Sequence, residues 1–171
     1  AIPAAICYSM ASGIPYQQGL IKNRYIGRTF IMPDQRLREI SVQMKLIPVP
    51  EVIAGKRVVV IDDSIVRSTT CSKIVAMLRN AGAKEVHFMV SSPPVKYPDF
   101  YGINTPLQKD LIASQLSTEE IRKKIGADSL NYLSYEGMIR STELPEEIFC
   151  TSTFTGDYPL DIKERANDIV M

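Results

Sequence analysis

The stretch VVVIDDSIVRSTT, residues 58–70, carries the clearest indication of fold in this sequence. Its first four residues are apolar and β-branched, which is typical of a strand buried on both faces of a parallel sheet. Asp62 and Asp63 end that strand, and a polar turn leads to a helix that we expect to begin near Thr69 or Thr70. The stretch therefore predicts a strand, a turn and a helix, with two carboxylates at the turn.

The residues after this stretch repeat the alternation of helix and strand. Apolar side chains at 74, 75, 78 and 81 share one face of the expected helix, and Gly82 ends it. Residues 86–90 form a second apolar strand, which Ser-Ser-Pro-Pro closes at 91–94. Strand, helix and strand within about 35 residues predict a right-handed βαβ unit. The fold class is therefore α/β, with a mostly parallel central sheet flanked by helices.

Further elements follow from local signals along the rest of the chain. The expected set is a helix over 4–12 stopped by Gly13, a strand over 16–21, a capped helix from Ser117 to Gly126, a strand over 130–133, a helix over 134–141 and an edge strand over 149–155.

Length and composition narrow the classes of protein. A chain of 171 residues with 45% hydrophobic content fits one domain. A net charge of +1 argues against a general nucleic-acid or membrane-surface binder, and no apolar run approaches the roughly 20 residues of a membrane span. Three dispersed cysteines without a CxxC pair favour a reducing, cytosolic compartment. The chain has no initiator Met and opens within an expected helix, which suggests a piece of a longer protein.

The turn after the first strand has the chemistry of a sugar-phosphate site. Ligands of open α/β sheets bind at the carboxyl ends of the strands. A helix N-terminus and neighbouring hydroxyls suit a phosphate monoester, whereas Asp62 and Asp63 suit a diol or Mg²⁺. A phosphorylated ribose carries all three features. Helix capping alone would also produce an acidic pair followed by Ser or Thr, so the pair by itself is a weak signal.

Three other features can be explained by structure alone as well as by function. The basic stretch 22–46 could be a solvated loop, because that is the common fate of a charge run. His87 lies in an apolar strand, where a structural role outweighs that of a general base. Cys7 has apolar neighbours, and we expect it to be packed in the interior.

Longer segments resemble one enzyme family. GIPYQQGLIKNRYIGRTFIMPDQRLREISVQMKL (13–46), VVVIDDSIVRSTT (58–70), GAKEVHFMVSSPP (82–94), EEIRKKIGADSLNYLS (119–134) and FTGDYP (154–159) are similar to the glutamine phosphoribosylpyrophosphate amidotransferases. The resemblance covers nearly the whole chain and corresponds to the C-terminal domain of that family. It implies the type I phosphoribosyltransferase fold and 5-phosphoribosyl-1-pyrophosphate (PRPP) as substrate.

The resemblance also implies roles for individual residues. Asp62 and Asp63 would hold the ribose 2- and 3-hydroxyls and help to place Mg²⁺. The residues that would cradle the 5-phosphate are consecutive, namely Ser64, Ile65, Val66, Arg67, Ser68, Thr69 and Thr70.

The same resemblance implies a function for the basic stretch 22–46. Residues 22–46 would be a flexible catalytic loop that closes over PRPP, which explains both their charge and their Gly and Pro breakers. Lys22, Arg24 and Arg28 would face the pyrophosphate, and Tyr25 would line the path of ammonia. Ser41 would contribute, more weakly, to a regulatory nucleotide site.

The implied reaction joins ammonia to C1 of PRPP as pyrophosphate leaves, and it opens purine synthesis. Ammonia would come from glutamine through a glutaminase domain that this chain lacks, and the pyrophosphate loop would precede residue 1. Purine nucleotides would act as feedback inhibitors of a homo-oligomer. One branch of the family holds a [4Fe–4S] cluster, but Asp99 and Thr153 stand where two of its cysteines belong, beside Cys150. We therefore expect no cluster.

Two alternatives come from other functional classes. A non-catalytic PRPP-sensing regulator would need a separate DNA-binding module, which the 171 residues do not contain. A signalling receiver domain also ends its first strand in acids, but it needs a phosphoacceptor Asp after a later strand. The strand at 86–90 ends in Ser-Ser-Pro-Pro instead, so that requirement fails.

Overall fold

The computed structural model of the protein describes residues 1–23, 46–103, 105 and 107–162. The elements in chain order are α1 (Ile2–Ser12), β1 (Leu20–Lys22), β2 (Leu46–Pro48), α2 (Pro50–Ile53), β3 (Arg57–Asp62), α3 (Ser68–Asn80), β4 (Glu85–Val90), a 3₁₀ helix (Gln108–Asp110), α4 (Ile112–Gln115), α5 (Thr118–Ile125), β5 (Ser129–Tyr132), α6 (Tyr135–Thr142), a second 3₁₀ helix (Glu146–Ile148) and α7 (Ser152–Thr155).

The main sheet has the order β3-β4-β5, and both strand pairs are parallel. Asp62 lies opposite Val90, and Val90 lies opposite Tyr132, so the three strands end at one edge. Strands β1 and β2 form a separate antiparallel pair. The expected parallel sheet and βαβ unit are confirmed, and the acidic pair lies at the carboxyl edge of the sheet.

The core lies between this sheet and the packed helices α3 and α5. In β4 the side chains alternate, and Val86, Phe88 and Val90 are at most 4% exposed. They meet a buried stripe on α3 that includes Leu78, at 1% exposure. Burying one such large side chain stabilises a fold by about 1.5–3 kcal/mol. This packing fixes where α3 begins relative to the end of β3.

Local signals set the ends of the helices. In α5 the Ser117 hydroxyl accepts the Glu120 N–H, and the Glu120 carboxylate accepts the Ser117 N–H at 2.8 Å, so the expected capping box is confirmed. After α3, Gly82 has φ +92°, and a Cβ there would lie 3.3 Å from Ala54. Glycine is therefore needed at this turn both for backbone conformation and for space.

Four expectations from sequence differ from the structure. The strand expected over 149–155 is wrong, because α7 forms there and ends at Gly156, whose φ is +84°. The strand expected over 16–21 is reduced to β1. Cys7 is exposed rather than packed, since α1 has no buried residue among those described. Strand β3 is half-buried rather than buried on both faces, because it forms one edge of the described sheet.

Within the described ranges, no helix combines the length and apolar character that crossing a membrane requires.

Candidate functional site

The acidic pair ends β3 at the carboxyl edge of the sheet. The carboxylate Oδ1 of Asp62 accepts the N–H of Asp63 at 3.0 Å, and Oδ1 of Asp63 accepts the N–H of Ser64 at 3.0 Å. Each carboxylate therefore supports the backbone of the turn that follows it. Asp62 is half-buried and Asp63 is exposed, so the two carboxylates lie at different depths below the surface.

Burial changes the acidity of the inner carboxyl. It raises the pKa of Asp62 to about 6, and the charge of Asp63 acts in the same direction, while the hydrogen bond from the Asp63 backbone opposes them. The charged form of such a carboxyl is stabilised by a cation or by hydrogen-bond donors. A cation or hydroxyl donors beside Asp62 would have this effect, and carboxyls with a raised pKa are common in polyol and metal sites.

The turn itself is anchored from both sides. Ile65 is 1% exposed and belongs to the core. The carbonyl of Val66 accepts the N–H of Ile112 at 3.0 Å. The backbone of the turn is therefore held between the core and α4, and its shape is set before any ligand arrives.

The first turn of α3 follows at once and has the character of an anion site. Arg67 is the N-cap residue, and its side chain makes no capping hydrogen bond in the described structure. The first N–H groups of a helix lack partners within the helix, and they carry partial positive charge. The hydroxyl residues Ser64, Ser68, Thr69 and Thr70 are all half-buried or exposed around them.

A buried layer lies beneath the acidic pair. Cys71, in the first turn of α3, is 2% exposed, and burial together with the charge of Asp62 raises the pKa of its thiol to about 12. Burial likewise raises the pKa of Tyr132 to about 12, and its hydroxyl has no hydrogen-bond partner in the described part of the chain. The Cys71 thiol and the Tyr132 hydroxyl therefore stay protonated and uncharged at neutral pH. Of these three groups, only the Asp62 carboxyl carries charge there.

Sequence reasoning missed three contributors. Ser91 donates from its N–H (2.9 Å) and its hydroxyl (3.1 Å) to the carbonyl of Asp62. The parallel pairing of β3 and β4 could have indicated Ser91, because it follows the strand beside Asp62. Asp110 and Ile112 contact the turn from more than 40 residues away, and no sequence pattern pointed to them.

The carboxyl pair suits a magnesium ion. Mg²⁺ is usually held by one or two carboxylates together with water and substrate oxygens. The two adjacent aspartates, one with a raised pKa, match that donor set. In the ranges that the structure covers, no group of three or more His, Cys, Asp or Glu side chains could hold a metal. A cation here would thus depend on substrate oxygens for part of its coordination.

Comparisons with known proteins agree on one family. Amidophosphoribosyltransferase of Synechococcus elongatus is 56% identical over 164 residues, which is 96% of this chain and 33% of that protein. Its counterpart in Bacillus subtilis is 56% identical over 165 residues, covering 94% and 35%. No family model matches the chain.

Solved structures agree with the sequences. Glutamine PRPP amidotransferase from B. subtilis, in complex with ADP and GMP, superposes with a TM-score of 0.83 at 55% identity, over 95% of this chain and 37% of that one. A structure described as the allosteric regulatory enzyme of purine biosynthesis gives a TM-score of 0.81 at 55% identity, over 94% and 36%.

The chain belongs to the amidophosphoribosyltransferase family. It spans about a third of the length of the curated relatives it matches. The α/β architecture expected from sequence is confirmed as the type I phosphoribosyltransferase fold of these relatives.

Several residues that the family resemblance singled out are not described. Arg24, Tyr25, Arg28 and Ser41 lie outside the described residues, as does most of the loop expected over 22–46. Lys22 is described, and it is an exposed residue at the end of β1. The structure thus brings residues 62–70 together at the carboxyl edge of the sheet, and the roles expected of these residues and of the basic residues stay predictions.

Asp99, Thr153 and Cys150, which we compared above with the cluster cysteines of one branch of the amidophosphoribosyltransferases, all form hydrogen bonds. Oδ1 of Asp99 accepts the N–H groups of residues 101, 102 and 103 at 2.9–3.0 Å. The carbonyl of Thr153 accepts the N–H groups of Lys96 and Tyr97. Cys150 is exposed, with its Sγ 3.3 Å from the Ser152 hydroxyl. Asp99 therefore closes a turn, and Thr153 joins that region to α7.

Proposed function

We propose that this chain is the phosphoribosyltransferase part of an amidophosphoribosyltransferase. It would bind PRPP and make 5-phosphoribosylamine from PRPP and ammonia, the first committed step of purine nucleotide synthesis. The observation that carries the proposal is the juxtaposition of a carboxylate pair with an anion-binding helix start. Diol and phosphate of one ribose 5-phosphate would reach these two features together.

The residues at the carboxyl edge would fix the substrate. Ionised Asp62 and Asp63 would accept hydrogen bonds from the ribose 2- and 3-hydroxyls. The backbone and hydroxyls of residues 64–70, with Arg67, would donate to the 5-phosphate. Because the turn is anchored by the buried Ile65, this geometry is preorganised and holds C1 in a fixed position.

The reaction is a substitution at C1. The nitrogen lone pair of ammonia forms the new C–N bond as the C1–O bond to pyrophosphate breaks, and the amine then loses a proton. The transition state has oxocarbenium character, so no side-chain nucleophile is required. Catalysis would come from positioning and from neutralising charge on the leaving pyrophosphate.

Mg²⁺ is part of this proposal. Asp62 and Asp63 would hold it together with substrate oxygens, and it would supply positive charge beside the pyrophosphate. The raised pKa of Asp62 fits a carboxyl that awaits such a charge. Lys22, Arg24 and Arg28 would add cations from a closing loop over 22–46, and Tyr25 would line the ammonia path.

The wider setting follows from relatives that are about three times as long. We propose that a glutaminase domain of the full-length protein supplies ammonia from glutamine, and that the assembly is a cytosolic homo-oligomer. The B. subtilis relative was solved with ADP and GMP, which supports purine nucleotides as feedback inhibitors. Ser41 would belong to their site.

We also propose that this protein holds no iron–sulfur cluster. Asp99 and Thr153 are engaged in the hydrogen bonds described above. Iron and sulfide would be assayed on anaerobically purified protein. About four irons per chain would refute this part of the proposal, because a cubane cluster contains four.

The proposed function is tested by calorimetry and turnover. PRPP with Mg²⁺ should bind the chain, and ribose without phosphate should not. Ammonium at alkaline pH should then release pyrophosphate. Binding without turnover, in a protein that also carries the upstream pyrophosphate loop, would favour a PRPP sensor. An absence of PRPP binding would reject the assignment altogether.

A further inference from the structure

An acidic side chain lies against the expected phosphate loop. Arg67 Nη2 is 3.4 Å from Asp110 Oδ2, in a contact between residues 43 positions apart. Beside it, the Ile112 N–H donates to the Val66 carbonyl. The 3₁₀ helix Gln108–Asp110 and α4 thus hold the loop at two points, one through the backbone and one through charge.

The position of Arg67 explains why that acid matters. A cation at the N-terminus of a helix faces the positive end of the helix dipole, which is unfavourable unless an anion lies nearby. Asp110 supplies that anion, since its Oδ2 lies 3.4 Å from Arg67 Nη2. A phosphate at the start of α3 would present up to two negative charges to the same guanidinium. Asp110 and the phosphate are therefore alternative partners of Arg67.

Solvent exposure makes an exchange of partners feasible. The side chains of Arg67 and Asp110 are 56% and 46% exposed. Water screens such a pair, so little interaction energy is lost when the two side chains separate and regain full hydration. The backbone hydrogen bond at Val66 does not depend on this charge, so the loop can keep its shape while Arg67 changes partner.

We propose that Asp110 sets the phosphate affinity of this site by competing with the ligand for Arg67. This inference rests on the proposed function and adds a determinant of its affinity. In the ligand-free protein Arg67 pairs with Asp110. When a phosphate monoester binds, the guanidinium donates its hydrogen bonds to the phosphate, and Asp110 returns to water.

This competition predicts the direction in which phosphate affinity should change. Removing the charge of Asp110 should tighten phosphate binding, and the gain should require Arg67. An exposed ion pair is modest in strength, so the gain is expected to be roughly two- to five-fold in the dissociation constant.

Ribose 5-phosphate is the probe, and binding is followed by calorimetry or by ³¹P NMR, which reaches millimolar dissociation constants. Four proteins are compared: wild type, Asp110→Asn, Arg67→Gln and the double variant. Asp110→Asn should bind two- to five-fold more tightly than wild type, and the double variant should bind no more tightly than Arg67→Gln. Glu119→Gln, which removes an exposed acid paired with Arg122 on α5, is the matched control and should leave affinity unchanged.

Each outcome decides the inference. Unchanged or weaker binding by Asp110→Asn overturns it, as does equal tightening with and without Arg67, which would mean simple charge repulsion. If wild type binds neither ribose 5-phosphate nor PRPP, the proposed function itself fails. Asp110→Ser removes the same charge and serves in place of an Asp110→Asn protein that does not fold, as judged by circular dichroism.

Discussion

Acidic side chains at the two edges of the parallel sheet have pKa values shifted in opposite directions: lowered for Glu85 and Asp128 at the amino edge, raised for Asp62 at the carboxyl edge. At the amino edge, Glu85 contacts Arg57 at 2.7 Å and His87 at 2.9 Å, and hydrogen bonding from His87 lowers the pKa of Glu85. Asp128 accepts the Val86 N–H at 2.6 Å, and this bond, with help from Arg79, lowers its pKa. At the carboxyl edge the pKa of Asp62 is raised instead.

The difference separates acids whose charge the fold stabilises from Asp62, whose charge the fold disfavours. An acid whose charge is satisfied by the fold contributes stability and has little left to offer a ligand. An acid whose charge is not satisfied costs stability, and it becomes favourable when a cation or hydroxyl arrives. His87 is the hydrogen-bond partner of Glu85 in the first group, and its other ring nitrogen lies 2.9 Å from the Ser129 hydroxyl. Its structural reading is therefore supported.

The largest expected effect is on ligand binding at the carboxyl edge. Asp62→Asn should weaken the binding of PRPP with Mg²⁺ by about 10- to 100-fold, because a hydrogen bond to a charged acceptor contributes about 1.5–3 kcal/mol. Calorimetry would measure the change. Binding equal to wild type would remove Asp62 from the site and erase the contrast between the edges.

The same variant should be more stable than wild type at neutral pH. The pKa of Asp62 is about 6 in the folded protein against an ordinary 3.8, so the folded state holds this proton more tightly than the unfolded state. Its contribution to stability therefore falls as pH rises from about 4 to 6 and stays lost above that. After allowance for partial exposure, Asp62→Asn should gain about 1–2 kcal/mol at pH 7.

Urea unfolding at pH 7 and at pH 4.5 would test this gain, which should shrink at the lower pH. A variant that is less stable than wild type at pH 7 would show that Asp62 is a structural acid after all.

A smaller loss is expected from the amino edge. Asp128→Asn removes the charge that the Val86 N–H and Arg79 share. The free energy of unfolding should fall by about 1 kcal/mol, because charge-assisted hydrogen bonds are stronger than neutral ones and solvent screens part of this one. The folded pKa is lowered, so the loss should be full at neutral pH and fade in acid. PRPP affinity should not change; a drop in affinity would mean that the two edges are coupled.

The smallest effect should come from Glu85→Gln. Its ion pairs are exposed, with Arg57 at 71% and Glu85 at 41%, and such pairs contribute little. Both the thermal midpoint and PRPP affinity should match wild type. A lower affinity in this variant would count against assigning substrate binding to the carboxyl edge alone.

Much of the local structure of the candidate site was predictable because it is encoded by one short segment. Within residues 58–70 the β-branched run specifies the strand, and the paired acids and hydroxyl residues mark the turn and the helix start. Parallel pairing then places the acids at the carboxyl edge of the sheet. Asp110 and Ile112 were not predictable, since their contacts depend on a chain path that no short pattern encodes. The expected strand over 149–155 failed because Thr-rich sequence suits a strand by composition, while Gly156 permits a helix end.

The direct succession of β3, α3 and β4 has a consequence for how the protein reaches its native state. The hydrogen bonds described above that join Asp62, Val66 and Arg67 to later elements come from Ser91, Ile112 and Asp110, so these contacts close only short stretches of chain. Short closures cost little conformational entropy and speed folding. The turn over 62–70 is therefore expected to form early as the chain folds, before α6 and α7 dock.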